Sequence, residues 1–230
     1  DGTVVGPVLD IWAGSAALAE RAPDGSITVN EYGEDRAIVS VEADAANGDL
    51  YVASVALPFT LSDAEIHRFE DGVMVDLAGA PSIGFTSVGG AGKYTNFGVR
   101  SGEIFTVSGN RVIEWATDGS STVFAGGLAS GHSGDGGPAT DALLSNPTGV
   151  SIWEGAVFIA GSGAIRKVAN DGTISTVAGT GVAGTMAGDG GEATDATLGS
   201  VGDVAPFSYG RMYLLDDGRH RIRLVEGAVD

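Results

Sequence analysis

Two aspartates, Asp135 and Asp189, each sit in a Gly-Asp-Gly-Gly stretch, 54 residues apart. The frame around them is copied too. Residues 133–149 read SGDGGPATDALLSNPTG and residues 187–203 read AGDGGEATDATLGSVGD. A carboxylate between glycines can accept N–H bonds inside its own turn, where glycine supplies the positive φ. It can also contact a ligand or a calcium ion. Copying favours the turn, because a structural linker has reason to recur and a single active centre does not. His132 stands three residues before Asp135 and has no counterpart in the second copy, where Thr185 and Met186 take its region. A loop histidine beside a carboxylate has the chemistry of a general base or a metal ligand. Neither a phosphate-binding Gly-rich loop nor a Gly-x-Ser-x-Gly elbow is present.

A copied loop implies a copied unit. Residues 155–179, GAVFIAGSGAIRKVANDGTISTVAG, give its grammar: an apolar run, a small-residue turn, IRKV, an Asn-Asp-Gly turn, TISTVAG. The same grammar runs through 10–33, 49–79, 103–126 and 211–227. The central residues of the apolar runs are Ile11, Tyr51, Phe105, Phe158 and Tyr213, spaced 40, 54, 53 and 55 apart. Short runs of Val, Ile, Thr and aromatics between Asp-Gly or Asn-Gly turns read as strands. A period of 40–55 residues with several strands per unit predicts the blades of an all-β propeller, each a four-stranded antiparallel meander. Five blades are expected in a single domain over 1–230, the last incomplete because the chain runs out at 227–230. The 38 glycines among 230 residues fit many tight turns.

Composition narrows the partners. A formal net charge of −18 repels phosphate backbones, so nucleic acid is not expected as a partner. The basic cluster Arg219, His220, Arg221 and Arg223 reads as the outward face of one strand. No apolar run reaches the ~18 residues of a spanning helix, so no membrane insertion is expected. Cysteine is absent, which excludes disulfides and thiol chemistry.

The unit at 147–168, PTGVSIWEGAVFIAGSGAIRKV, and that at 210–226, GRMYLLDDGRHRIRLVE, resemble NHL repeats. The linker GDGGPATDALLSNPTGV is similar to that of bacterial NHL-repeat proteins. The resemblance covers 127–230 well, 36–126 loosely and 1–33 weakly. It implies a β-propeller. For function it implies several classes: scaffolds, protein and RNA binders, and a few lyases.

Long connections usually carry function. The crossings at 80–95, 127–147 and 180–201 and the turn at 54–64 are long, and strand parity puts them on one face. The expectation is a GDGG rim above the central channel, held by Leu144 and Leu198 tucked into the blade seams. That face would recognise a protein or carbohydrate ligand. Phe59, Phe85, Tyr94 and Phe97 could form an apolar patch on it, and His132, Asp135 and Asp189 its polar contacts. Glu42, Arg100 and Asp203 are expected on the innermost strands, with Glu42 and Arg100 available as an ion pair across blades. His67 and His220 are read as equivalent third-strand positions, so no metal site is expected, and no cofactor beyond the calcium contact named above. The competing expectation is a lyase or hydrolase with its site at the channel. An extracellular or periplasmic location is expected, with a leader removed or trimmed before Asp1.

Overall fold

The computed structural model describes residues 4–10, 15–21, 27–32, 36–44, 46–56, 64–70, 73–76, 82–83, 86–88, 91–93, 97–185, 187–207, 210–216 and 221–227. The chain divides into two compact units, Asp1–Tyr94 with Thr117–Ser120, and Thr95–Ala116 with Ser121–Asp230.

In the first unit, β1 (Val4–Asp10), β2 (Ser15–Arg21) and β3 (Ile27–Tyr32) form one antiparallel sheet. A second sheet orders β4 (Arg36–Ala43), β5 (Leu50–Ala56), β6 (Ala64–Glu70) and β7 (Val73–Asp76) in sequence, with β8 (Ser82–Ile83) also on β6. The crossing read as a loop over 80–95 also holds a hairpin of β9 (Thr86–Val88) and β10 (Ala91–Lys93). In the second unit, β11 (Gly98–Arg100), β12 (Glu103–Ser108), β13 (Arg111–Trp115) and β14 (Ser121–Gly126) form the third blade. The fourth comprises β15 (Gly149–Trp153), β16 (Ala156–Gly161), β17 (Ala164–Val168) and β18 (Ile174–Ala178). The fifth has three strands, β19 (Val201–Phe207), β20 (Arg211–Asp216) and β21 (Arg221–Glu226).

The all-β class and the blade-by-blade propeller organisation are as the repeats require. The first blade is a correction. Four strands were expected there, but residues 4–6 belong to β1, which pairs directly with β2, so three strands are described. Among the described residues no helix is long and apolar enough to cross a membrane.

The second unit shows how the pattern becomes packing. All six residues of β16 are buried. Alternation sends Val157 and Ile159 to one face and Phe158 and Ala160 to the other. The first pair packs with Phe105, Val107 and Val112 of the third blade, and the second with Met212 and Leu214 of the fifth. β20 differs: Met212 and Leu214 are buried, while Tyr213 and Leu215 are exposed, as are Ile222 and Leu224 of β21. Hydroxyls add bonds between blades: Thr148 Oγ1 donates to the Val201 carbonyl and Ser151 Oγ to that of Val204.

The two copied linkers complete the seams. Ala139, Ala142 and Leu144 lie in the core between the third and fourth blades, Ala196 and Leu198 in the core between the fourth and fifth. Leu144 is 2% exposed and Leu198 1%, so the anchoring expectation holds. Each leucine lies against a glycine at the end of the preceding strand, Gly126 as the last residue of β14 and Gly179 just after β18. A Cβ on Gly126 would come within 2.9 Å of Leu144 Cδ1, and one on Gly179 equally close to Leu198 Cδ1. Both glycines have positive φ, +83° and +85°, so shape and backbone demand the same residue.

Leu144→Ala leaves a cavity in a packed seam and should lower stability by about 2–5 kcal/mol in denaturant titration, with the strand content retained.

Candidate binding site along the linkers

Within 133–143 the backbone turns on Gly134 (φ +95°) and Gly136 (φ +81°) and presents Asp135 to Arg166 on β17, Nη2 to Oδ1 2.5 Å. The Arg166 side chain is only 4% exposed. It also donates to the Leu143 carbonyl at 3.2 Å and the Ser133 carbonyl at 3.1 Å. One guanidinium therefore ties both ends of the linker to the third strand. Burial raises the cost of charge on Asp135. Hydrogen bonds from Thr176 and the Arg166 guanidinium outweigh it and hold the carboxyl below its ordinary range. His132 joins the group through Thr176, Nε2 to Oγ1 3.2 Å. Burial and then the Arg166 charge push this imidazole below its ordinary value, with Asp135 opposing.

The linker also pairs with the outermost strand. Gly136 N–H donates to the Ile174 carbonyl at 2.8 Å, Ile174 N–H to that of Gly137 at 3.0 Å, and Ala139 N–H to that of Gly172 at 3.0 Å. This corrects the rim. The GDGG stretch lies along the third and fourth strands of its blade, away from innermost β15, because Arg166 and the β18 backbone hold it there.

The second copy repeats the latch. Gly188 and Gly190 have φ +95° and +83°, and Asp189 pairs with Arg223 on β21. Arg223 reaches the Thr197 carbonyl at 3.3 Å and that of Ala187 at 3.5 Å. Arg223 is thus a linker clamp as well as part of a basic strand face.

These arginines are what sequence reasoning missed, and a signal was present. Strand register places Arg166 opposite Ile159 and Arg223 opposite Leu214. The same register position holds His67 opposite Val52 and Ile113 opposite Thr106. Among these four blades arginine stands there in the two that follow a GDGG linker. Register also corrects the histidines: His67 corresponds to Arg223, not to His220, which lies outside the described residues. His67 is buried, with Nε2 2.9 Å from Ser54 Oγ.

Phe97 is fully buried, while Phe59, Phe85 and Tyr94 lie outside the described residues. Glu42 is half-buried on β4. Arg100 turns to Glu114 at 3.1 Å, Glu103 at 3.6 Å and the Gly155 carbonyl at 3.0 Å, and covers the Phe105 ring at 4.7 Å. Its acidic partners therefore include two of its own blade, and it braces that blade against the next. Asp203 accepts the Val204 N–H at 2.8 Å. No group of three His, Asp or Glu side chains suited to a metal occurs among the described residues. At Asp135 and Asp189 one carboxylate oxygen, Oδ1, is taken by a guanidinium.

The open concavities follow the linkers. A groove of about 400 Å³ runs between the first linker and β14, lined by Glu114, Phe124, Pro138, Thr140, Asp171 and Thr173 among others. Burial and the neighbouring Glu103 raise the Glu114 pKa, with Arg100 opposing. Bonds from Thr173 lower that of Asp171. A second groove, of about 580 Å³, runs between the second linker and β21.

A family model described as the teneurin NHL domain matches residues 120–185, which hold the first linker and the fourth blade. The NHL resemblance is borne out there. No curated protein matches the chain by sequence. Among solved structures, a candidate phosphatase of Bacteroides thetaiotaomicron matches with TM-score 0.53 and 16% identity, over 97% of this chain and 56% of its own. An auxiliary nutrient binding protein of Bacteroides ovatus matches with TM-score 0.52 and 15% identity, over 93% and 50%. The calcium-binding protein regucalcin of Agrobacterium tumefaciens gives TM-score 0.46 and 14% identity, over 97% and 89%. The chain thus spans about half the length of the first two structures, 56% and 50%. At such identities the likeness is one of fold.

Two measurements check the latch. Asp135→Ala should cost about 1–3 kcal/mol and more than Asp189→Ala, because the arginine left behind is more buried, 4% against 11% exposed. The depressed His132 pKa means that the unfolded chain takes up a proton first as pH falls below 6.5. Stability contributed by neutral His132 is therefore present above that pH and lost as pH drops toward the folded value. His132→Asn should flatten the stability profile in that window.

Proposed function

We propose that the chain is a binding module, a single NHL-type propeller domain working outside the cytoplasm, that takes a protein or glycan ligand along its long linkers. The observation that carries this reading is the groove beside the first linker. It combines the ring of Phe124, the carboxylates of Glu114 and Asp171, and the hydroxyls of Thr140 and Thr173 in about 400 Å³. An aromatic surface flanked by a few placed polar groups suits a sugar or an extended peptide. The wall is firm: Phe124 meets Phe105 edge-on at 4.9 Å, and Arg100 lies over both rings. The nutrient-binding neighbour agrees with this reading at the level of fold.

Calorimetric titration with panels of oligosaccharides and extended peptides tests it. The expected result is saturable binding that weakens at least about tenfold in Glu114→Gln combined with Asp171→Asn, the loss of one or two charge-assisted bonds. Turnover of a lactone or phosphate ester that survives those changes but is lost in Glu42→Gln or Asp203→Asn would overturn the reading in favour of a hydrolase.

A further inference from the structure

The groove beside the first linker lies between two four-stranded blades, the third and the fourth. The charged residues that line it, Glu114 and Asp171, are both acidic. Glu114 on β13 already has a cation, Arg100 on β11 at 3.1 Å, but that guanidinium also serves Glu103 on β12 at 3.6 Å. One positive charge thus answers two carboxylates. Burial, the Glu103 charge and a hydrogen bond between the two carboxyl groups favour a proton on Glu114, and Arg100 only partly offsets them. A second cation at Glu114 would relieve the same repulsion that the proton relieves. Asp171, on the turn between β17 and β18, is held in its charged form by bonds from the Thr173 backbone N–H, at 2.9 Å, and hydroxyl. Beside these carboxylates lie the Phe124 ring, Pro138 and Val123, which is 39% exposed. Gly136 and Gly172 line the groove too, and a Cβ on either would meet nothing within 4 Å, so another main chain can lie close.

We infer that the ligand of this groove is an extended peptide segment carrying lysine or arginine, its aliphatic stem on Phe124 and Pro138 and its cationic head at Glu114. This rests on the binding-module reading and narrows its ligand from protein or glycan to a basic peptide. Lysine and arginine suit a site of this composition, because they bury an apolar stem while the charged head reaches a polar group. Asp171 attracts a second basic residue, and the hydroxyls of Thr140 and Thr173 can bond peptide groups. Glycans that carry carboxylate or sulfate meet two like charges here and are disfavoured. The net charge of −18 draws cationic segments toward the chain from a distance. Binding should also release a proton. The ligand cation favours charged Glu114 and lowers its pKa, so affinity is full above the raised value and is lost as pH falls through it. Arg100 and Glu103 face the same carboxyl and stay in place throughout.

The test uses labelled peptides of the frame Gly-Ser-Val-X-Thr-X-Val-Ser-Gly, with lysine, arginine, norleucine, glutamine or glutamate at X, titrated into the whole chain by fluorescence anisotropy. The expected result is saturable binding of the lysine and arginine members, one per chain, with Kd below about 1 mM and at least about tenfold tighter than norleucine or glutamine. That preference should shrink toward unity in Glu114→Gln. Affinity should fall as pH is lowered from about 7, and calorimetry in buffers of different ionisation enthalpy should show proton release over that range. Lysine against norleucine on the unchanged chain keeps the test valid if the glutamate variant unfolds. Equal binding of the norleucine peptide, a lysine preference that survives Glu114→Gln, or tightest binding of the glutamate peptide overturns the inference. Neutral oligosaccharide that binds and is lost in Glu114→Gln with Asp171→Asn, without any lysine preference, overturns it and leaves the binding module standing. No saturation by any peptide or oligosaccharide overturns both.

Discussion

A sheet of three or four strands with apolar residues on both faces is unstable alone, because alternation exposes one of its faces to water whatever the other packs on. β16, with every residue buried, is the clearest statement of that constraint in this chain. Its two faces require two neighbours, and the copied unit supplies them. The neighbours also have to be held at a fixed spacing. Ala142 and Leu144, and again Ala196 and Leu198, fill the gap that remains between adjacent sheets, so each seam has three contributors: the sheet before it, the sheet after it and the linker that connects them.

The linker in turn needs a fixed course, which the arginine at one register position of the third strand provides. A guanidinium has enough donors to bond an aspartate and two carbonyls at once, and its planar shape suits that arrangement. The ion pair is more than a surface contact in the fourth blade, where Arg166 is buried and the carboxylate is its partner. Thr176 and His132 extend the cluster to the outer strand. The acidic residue of GDGG is thus explained by what it holds, and the glycines around it by the turn that aims it.

Much of the fold was legible in sequence because strand periodicity and turn chemistry are local. The four strands of 149–178 fall within a residue of where the Glu-Gly, small-residue and Asn-Asp-Gly turns put them, and the leucine anchors follow from an apolar residue repeated inside a polar loop. The first blade was less legible, since its copy is degraded and the pairing of β1 with β2 depends on register rather than on composition. The site was misplaced for a different reason. Parity tells which end of a blade a loop leaves from, but not where its middle goes afterwards. That is decided by a long-range partner, and Arg166 looks like any strand arginine until it is compared with Ile113 and His67 at the same position. Phe97 shows the opposite failure: next to a loop rich in aromatics it reads as exposed, yet it precedes β11 and is fully buried.

The bonds between Gly136 and Ile174 also order events in time. The linker leaves the third blade before any strand of the fourth exists, yet its backbone partners lie 38 residues further along, between 136 and 174. It cannot settle until its own blade has reached the last strand. The seam between the third and fourth blades therefore closes fully only with the last strand of the fourth, and the loop between the two partners is closed before that contact rewards it.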